Sequence, residues 1–387
     1  MKTYRIGLIG AGFMGRTHAW AWRSLPYFYD PLPFRCELHG VVTSRPETAQ
    51  HACEVLGVAR PYETVQQMAE DPDIDILDIA SPNSAHLQAV LTAHAAGKPV
   101  YCDKPLTGNL QEAEEIARSV APLDRAGQMV FHNRFFPATM RAAQMVREGT
   151  LGQIIGFRGV YLHSGNVDPG KALGWKDQKE YGAGVLYDLG SHILDLLMWV
   201  AADRPAEIVA RQRILYPERP SREDPSRTVR QTGDDQTVLL ITTETGACGT
   251  VEASKIATGA QDDLRFEIHG TRGALRFSLM DPNYLDYFDT ADPEKPLGGV
   301  SGFRRIHCVQ RYDAPAAFPS PKASIGWLRG HLHCLYTFVR SWHDGAPFEP
   351  SLMRGVEIER WLDAAERSAS SGQAMKLYPA APTKAVG

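Results

Sequence analysis

Residues 4–15 read YRIGLIGAGFMG, a short apolar run that ends in Gly10, Gly12 and Gly15. This G-x-G-x-x-G spacing constrains the local fold more than any other stretch of the chain. The first glycine permits a tight turn after a strand, and the second leaves backbone room for a diphosphate. The third lets the next helix pack closely on the strand with its N-terminus facing the anion. Glycine turns are common, so context decides. Here the loop follows a strand candidate and opens a helical stretch. Apolar runs recur at 37–43, 75–80, 99–102 and 128–131, with helix-like segments such as 84–97 between them. Strands alternating with helices build βαβ units on a parallel sheet. A Rossmann dinucleotide-binding α/β domain is therefore expected over 1–133, with Gly10, Gly12, Phe13, Met14 and Gly15 against the dinucleotide.

After residue 133 the rhythm changes. A helical stretch at 138–149 leads into β-rich runs at 154–163, 206–216, 237–255 and 264–279, with turn-like tetrapeptides at 244–247 and 270–273. These patterns predict an α+β domain over 134–387, built on a large open, mostly antiparallel sheet. Two polar stretches, 217–235 and about 288–325, read as loops. Residues 352–372 form an amphipathic helix with a glycine stop.

With 387 residues, 43% of them hydrophobic, the chain can bury two domain cores. A formal net charge of −4 gives no electrostatic reason to expect nucleic acid or an anionic membrane. No apolar run reaches the length of a membrane span, and the N-terminus lacks a signal-peptide pattern. The six cysteines are scattered without C-x-x-C spacing, which reads as free thiols in a reducing cytoplasm. An open sheet face in the second domain would be a natural oligomer interface.

Dinucleotide sites often place an acid at the end of the second strand, for a ribose 2′-hydroxyl. This chain has Thr43, Ser44 and Arg45 there. A hydroxyl and a guanidinium can hold a 2′-phosphate, which leans the choice of cofactor from NAD towards NADP. Equally, Ser44 with Glu47 three residues later forms a capping box, leaving Arg45 solvated.

In open α/β sheets, ligands collect at the carboxyl ends of strands. Ser81, Asn83 and His86 follow one strand, Asp103 and Lys104 the next, and Asn133 and Arg134 stand at the domain junction. Asn83 also suits a helix cap and His86 a surface histidine. A lone lysine is usually solvated, and Arg134 suits a brace between domains as well as a cofactor contact. Further on, Asp188, His192 and Asp195 at i, i+4 and i+7 share one helical stripe. A histidine between two acids suits a general base, although a solvated polar face fits the stripe too. His163, Asn166, Asp168, Trp175 and Lys176 lie on a polar segment where an aromatic could stack on a sugar ring. His331 and His333, one residue apart on a helix, would splay, so no metal site is expected.

Together GAGFMG, SPNSAH, AGKPVYCDKPL, FHNRFFP and DLGSHILD resemble, in order and spacing, the Gfo/Idh/MocA family of oxidoreductases. The resemblance spans nearly the whole chain. GFMGRTHA, YLHSGNVDPGKALGWK and GFRRIHC resemble its levoglucosan-dehydrogenase-like branch. The resemblance implies an NAD(P)-dependent dehydrogenase that oxidises a hydroxyl of a sugar, sugar derivative or cyclitol and assembles as a homodimer or homotetramer. It implies that Lys104, Asp188 and His192 are catalytic: His192 takes the hydroxyl proton, Lys104 stabilises the oxygen, and Asp188 orients substrate and keeps His192 basic. Lys104, Asp188 and His192, with His163, Trp175 and Lys176, would contact substrate, and no metal is implied. Ser44, Arg45, Ser81, Asn83, His86, Asp103, Lys104 and Asn133 would join the glycine loop in holding cofactor. The family usually has glutamate where this chain has Asp103. Two other functions share the motifs, namely a glycosidase or lyase that recycles tightly bound NAD, and a non-catalytic dinucleotide sensor.

Overall fold

The structure, a computed structural model, describes residues 1–222 and 224–377. The first part alternates strand and helix: β1 Lys2–Ile9, α1 Phe13–Phe28, β2 Phe34–Val42, α2 Pro46–Leu56, β3 Arg60–Pro61, α3 Val65–Glu70, β4 Ile76–Ile79, α4 His86–Ala95, β5 Val100–Cys102, α5 Leu110–Ser119, α6 Leu123–Ala126 and β6 Gly127–Met129. The strands pair in parallel, in the order β3-β2-β1-β4-β5-β6. Strand direction of growth reverses between β1 and β4, which opens a crevice at their carboxyl ends. Ladder bonds continue past the strands, Ala80 N–H to the Ile9 carbonyl and Asp103 N–H to the Ile79 carbonyl, so the loops that follow start in register.

The second part runs α7 Pro137–Arg147, β7 Ile154–Leu162, α8 Ser191–Ala201, β8 Pro205–Arg213, β9 Glu218–Pro220, β10 Thr228–Arg230, β11 Gln236–Thr243, β12 Cys248–Ser254, β13 Asp263–Gly270, β14 Gly273–Ser278, β15 Tyr284–Asp289, β16 Arg304–His307, α9 Trp327–Asp344, α10 Leu352–Ser371 and β17 Met375–Lys376. Nine of these strands form one sheet, β16-β15-β14-β13-β7-β12-β11-β8-β17. All its pairs are antiparallel except β7 with β12. The tetrapeptides at 244–247 and 270–273 turn β11 into β12 and β13 into β14. The stretches read as loops carry short strands: 217–235 holds the β9–β10 hairpin and 288–325 the edge strand β16. Strand β11 buries alternate residues and exposes Val238 and Leu240, so one sheet face packs inward and the other lies open.

The core does not divide at residue 133. Leu332, Leu335, Phe338 and Val339 of α9 pack with Trp22, Leu25 and Tyr101, returning the chain to the first sheet. Residues 179–201 have the length and hydropathy of a membrane span, contrary to the sequence reading, but 89% of the most apolar window is buried inside the protein. Their apolar side chains serve the core between the two sheets.

Candidate active site

The glycine loop meets its physical requirements residue by residue. Gly10 has φ +94°, and a Cβ there would stand 2.7 Å from the Ala80 carbonyl oxygen. A Cβ on Gly15 would come within 2.2 Å of the Gly10 carbonyl oxygen, so close helix–strand packing needs the bare backbone. Gly12, at the start of α1, faces open space. That cradle has room for a diphosphate at a helix N-terminus.

Beside it lies a cavity of about 1000 Å³ running along the carboxyl ends of β1, β2, β4 and β5 into the second domain. Its wall includes Gly10, Gly12, Phe13, Met14, Ser44, Ser81, Asn83, Asp103, Lys104, His163, Trp175, Lys176, Asp188 and His192. Residues far apart in sequence therefore meet on one surface. Asn83 donates to the Gly182 carbonyl at 2.7 Å, tying the crevice to the loop that carries Trp175 and Lys176.

At the inner end, three ammonium groups converge on one carboxylate. Asp188 pairs with Lys176 at 2.9 Å, Lys104 at 3.1 Å and Lys255 at 3.2 Å. Lys104 also donates to the Asp188 backbone carbonyl. Burial raises the Asp188 pKa, but the three lysines outweigh it and hold the group well below the usual carboxylate range. Burial depresses Lys104, against the pull of Asp188. His192 is held well below the ordinary imidazole range, by burial first and then by Lys104, with Asp188 opposing. Asp188 thus works in the direction the family resemblance implied, towards a more basic His192, but burial and Lys104 outweigh it, and its carboxylate is also engaged by three lysines. On the opposite wall, Tyr161 donates to Asp262 at 2.6 Å and His163 Nε2 lies 3.1 Å from the same oxygen.

The backbone explains where the expected Asp188–His192–Asp195 stripe fails. Residues Leu186–Gly190 form a π-helical turn before α8. The wider turn rotates Asp188 relative to the helix that follows. Asp195, one per cent exposed, instead pairs with Arg134 and with Arg354 at 2.8 Å. Arg134 also pairs with Glu349, so it is a brace between elements and not a cofactor contact.

Several other sequence-predicted residues lie off the cavity wall. His86 is fully buried, its Nδ1 3.1 Å from the Pro105 carbonyl and its Nε2 2.9 Å from the Ser81 carbonyl. It braces the loops that carry Ser81 and Lys104 from behind. Asn133 is buried behind the wall. Arg45 is the exposed N-cap of α2, outside the cavity. This also corrects the capping-box reading: Ser44 precedes the N-cap, no side chain caps this helix, and Thr43 and Thr48 donate to the Arg45 carbonyl instead. Asn166 and Asp168 organise their own segment, through Asp177, Asp235 and Lys171 for Asn166 and the Gly170 N–H for Asp168. His331 and His333 meet different neighbours, His132 and Tyr29.

Sequence reasoning missed Lys255, His132, Tyr161, Asp262 and Trp327. Lys255 ends a β-run and Asp262 precedes another, without any local motif. His132 lies inside FHNRFFP, so a signal was present there.

A parallel sheet in this strand order, a glycine cradle and a buried lysine–histidine pair at its crevice define a dinucleotide-dependent oxidoreductase. The chain belongs to the Gfo/Idh/MocA family. Residues 4–132 match the family described as "Oxidoreductase family, NAD-binding Rossmann fold", and residues 139–276 match the GFO/IDH/MocA C-terminal domain. Levoglucosan dehydrogenase from Pseudarthrobacter phenanthrenivorans is 30% identical over 96% of this chain and 97% of its own. Myo-inositol 2-dehydrogenase from Thermotoga maritima is 25% identical over 70% of this chain and 74% of its own. Among solved structures, an oxidoreductase domain protein from Kribbella flavida superposes with a TM-score of 0.92 at 32% identity, over 98% of this chain and 100% of that one. Levoglucosan dehydrogenase in complex with NADH and levoglucosan superposes at 0.91 with 28% identity, over 97% and 100%. The named relatives are dehydrogenases of sugars and cyclitols and do not favour the glycosidase or lyase alternative.

Proposed function

We propose that the protein is an NAD-dependent dehydrogenase that oxidises a secondary hydroxyl of a sugar, anhydrosugar or cyclitol. The observation that carries this reading is Lys104 and His192 on one buried wall, near enough for the Lys104 charge to depress the His192 pKa. Gly10, Gly12, Phe13, Met14, Ser44, Ser81, Asn83 and Asp103 would hold the dinucleotide, which supplies the hydride acceptor when bound. His192, neutral near pH 7, accepts the hydroxyl proton. The Lys104 ammonium donates to the same oxygen and stabilises the negative charge that develops on it. Asp188 holds Lys104 and Lys176 in place and keeps them charged. Trp175 offers a face for a sugar ring, and His163 offers a hydroxyl partner steadied by Asp262.

The choice of NAD over NADP rests on the end of β2. Ser44 reaches the wall there, while Arg45, the residue expected to hold a 2′-phosphate, stays outside it. The structure of levoglucosan dehydrogenase with NADH supports the same choice.

The test is a panel of sugars, anhydrosugars and cyclitols assayed with NAD and with NADP by absorbance of the reduced cofactor. Turnover with NAD is expected, and its loss by ~10²-fold or more in Lys104→Ala and His192→Ala with dinucleotide binding retained. Near-parent turnover in either variant would refute the assigned roles.

A further inference from the structure

Behind His192, three more imidazoles continue into the protein. His192 on α8, His132 after β6, His331 on α9 and His18 on α1 are each at least nine-tenths buried. The His132 ring centroid lies 5.0 Å from that of His192 and stacks on His331 at 3.6 Å, and His331 lies 6.3 Å from His18. The row ends at Asp78 on β4, whose carboxylate takes His18 Nδ1 at 2.8 Å and the Trp22 indole N–H at 2.6 Å.

His192 Nδ1, both ring nitrogens of His132, both of His331, and His18 Nε2 are buried without a hydrogen-bond partner among the described residues. Each unsatisfied buried polar atom costs about 1–3 kcal/mol. Apolar side chains of similar size would fill the space without that cost. Orphan nitrogens in such a file call for bridging water or exchangeable protons.

We propose that His132, His331 and His18, bridged by ordered water, form a proton relay that draws the substrate proton inward from His192 and holds it on the His18–Asp78 pair until product leaves. The idea rests on the dehydrogenase reading. As the carbinol is oxidised, its O–H bond breaks and the electron pair of that bond becomes the second carbon–oxygen bond while hydride departs to the nicotinamide. The proton goes to His192 Nε2, the ring nitrogen on the cavity side. The same ring releases its Nδ1 proton inward, and a proton reaches His18 Nε2, whose Nδ1–H stays bonded to Asp78. After product leaves, the stored proton returns along the row to His192 Nδ1, and His192 Nε2 gives the substrate proton to water in the emptied cavity, which restores the starting tautomers.

The charges favour that direction. His192 sits beside Lys104, where a second positive charge is penalised. Burial, then neighbouring charged groups, hold His132 and His331 well below the ordinary imidazole range. Burial lowers His18 too, but Asp78, with Asp103 further off, raises it above the ordinary value. The last imidazole is thus the strongest base of the four.

His331→Phe removes both nitrogens from the middle of the row while a flat ring still stacks on His132. His331 lies off the cavity wall, so substrate and dinucleotide contacts stay. A fall in kcat on the order of tenfold or more is expected, short of the ~10²–10⁴-fold effect of losing a base. KM and NAD affinity should hold, and the solvent deuterium isotope effect on kcat should rise. In His331→Ala, added imidazole should restore part of the lost rate. Parent kcat with a parent isotope effect in His331→Phe overturns the relay. A second test needs no variant: a crystal structure of the wild-type protein that resolves water should show it at the edges of the rings, bridging their unpartnered nitrogens, and a dry row overturns the relay. Parent turnover on the substrate panel reports on the dehydrogenase reading, whereas the variant-to-parent ratio and the water positions report on the relay.

Discussion

Replacing Asp188 by asparagine removes the one carboxylate on which Lys104, Lys176 and Lys255 converge. The side-chain exposures of Lys104 and Lys255 are 11% and 10%, so bulk water screens these pairs poorly. At an effective dielectric constant of about 20, unit charges slightly over 3 Å apart attract by about 5 kcal/mol. Water entry and lysine deprotonation recover some of this, and breaking a buried pair from one side costs about 3–5 kcal/mol in net stability. Lys176, half exposed, is screened by water, so it adds less to stability than its 2.9 Å distance alone would suggest. The expected loss for Asp188→Asn is therefore about 3–5 kcal/mol, with a drop in kcat because Lys104 loses both its anchor and the charge that keeps it protonated. Adding Lys255→Met removes one stranded ammonium at similar volume. If the cluster is held by Asp188, the double variant should regain about 2 kcal/mol over Asp188→Asn, within the usual range of coupling between contacting residues. Urea denaturation of parent, both single variants and the double variant, followed by fluorescence, measures this. The double variant should fall between Asp188→Asn and the parent, while activity stays low. A double variant less stable than Asp188→Asn alone would refute the reasoning, because Lys255 would then stabilise the protein independently of Asp188.

Two further perturbations separate other parts of the site. Gly12→Ala puts a methyl group into open space, so thermal stability should hold while NAD affinity falls, whereas Gly15→Ala drives a methyl group into the Gly10 carbonyl and should lower stability itself; calorimetry and cofactor titration distinguish them, and equal melting losses would contradict the assignment. The pH profile of kcat/KM follows from the two depressed groups: His192 works neutral, so activity disappears as pH falls through a pKa well below 6.5, and Lys104 works protonated, so activity disappears as pH rises through a pKa below 10.5. An acid limb at or above 6.5 would show that His192 is not the base.

By itself the sequence determined the parts governed by local chemistry. Gly10, Gly12 and Gly15 follow an apolar strand; only bare backbone meets the φ need at Gly10 and the packing need at Gly15, while Gly12 leaves room for a ligand. Strand–helix alternation implied the parallel sheet, and β-rich runs joined by turn-like tetrapeptides implied the open antiparallel one. The motifs around Lys104 and His192 were legible because Lys104 follows an apolar strand and His192 stands at helical spacing from Asp188. Tertiary structure decided what depends on which surfaces meet. His86, Asn133 and Arg45 carry suitable chemistry at suitable spacings, yet packing turns the first two behind the wall and leaves the third in solvent. A π-helical turn, invisible to helical periodicity, separates Asp188 from Asp195, and Arg134 then claims Asp195. Lys255, Asp262 and the imidazole row join the site from strands and helices distant in sequence. No spacing rule links such residues, because their contact is set by how α9 and the nine-stranded sheet close over the crevice.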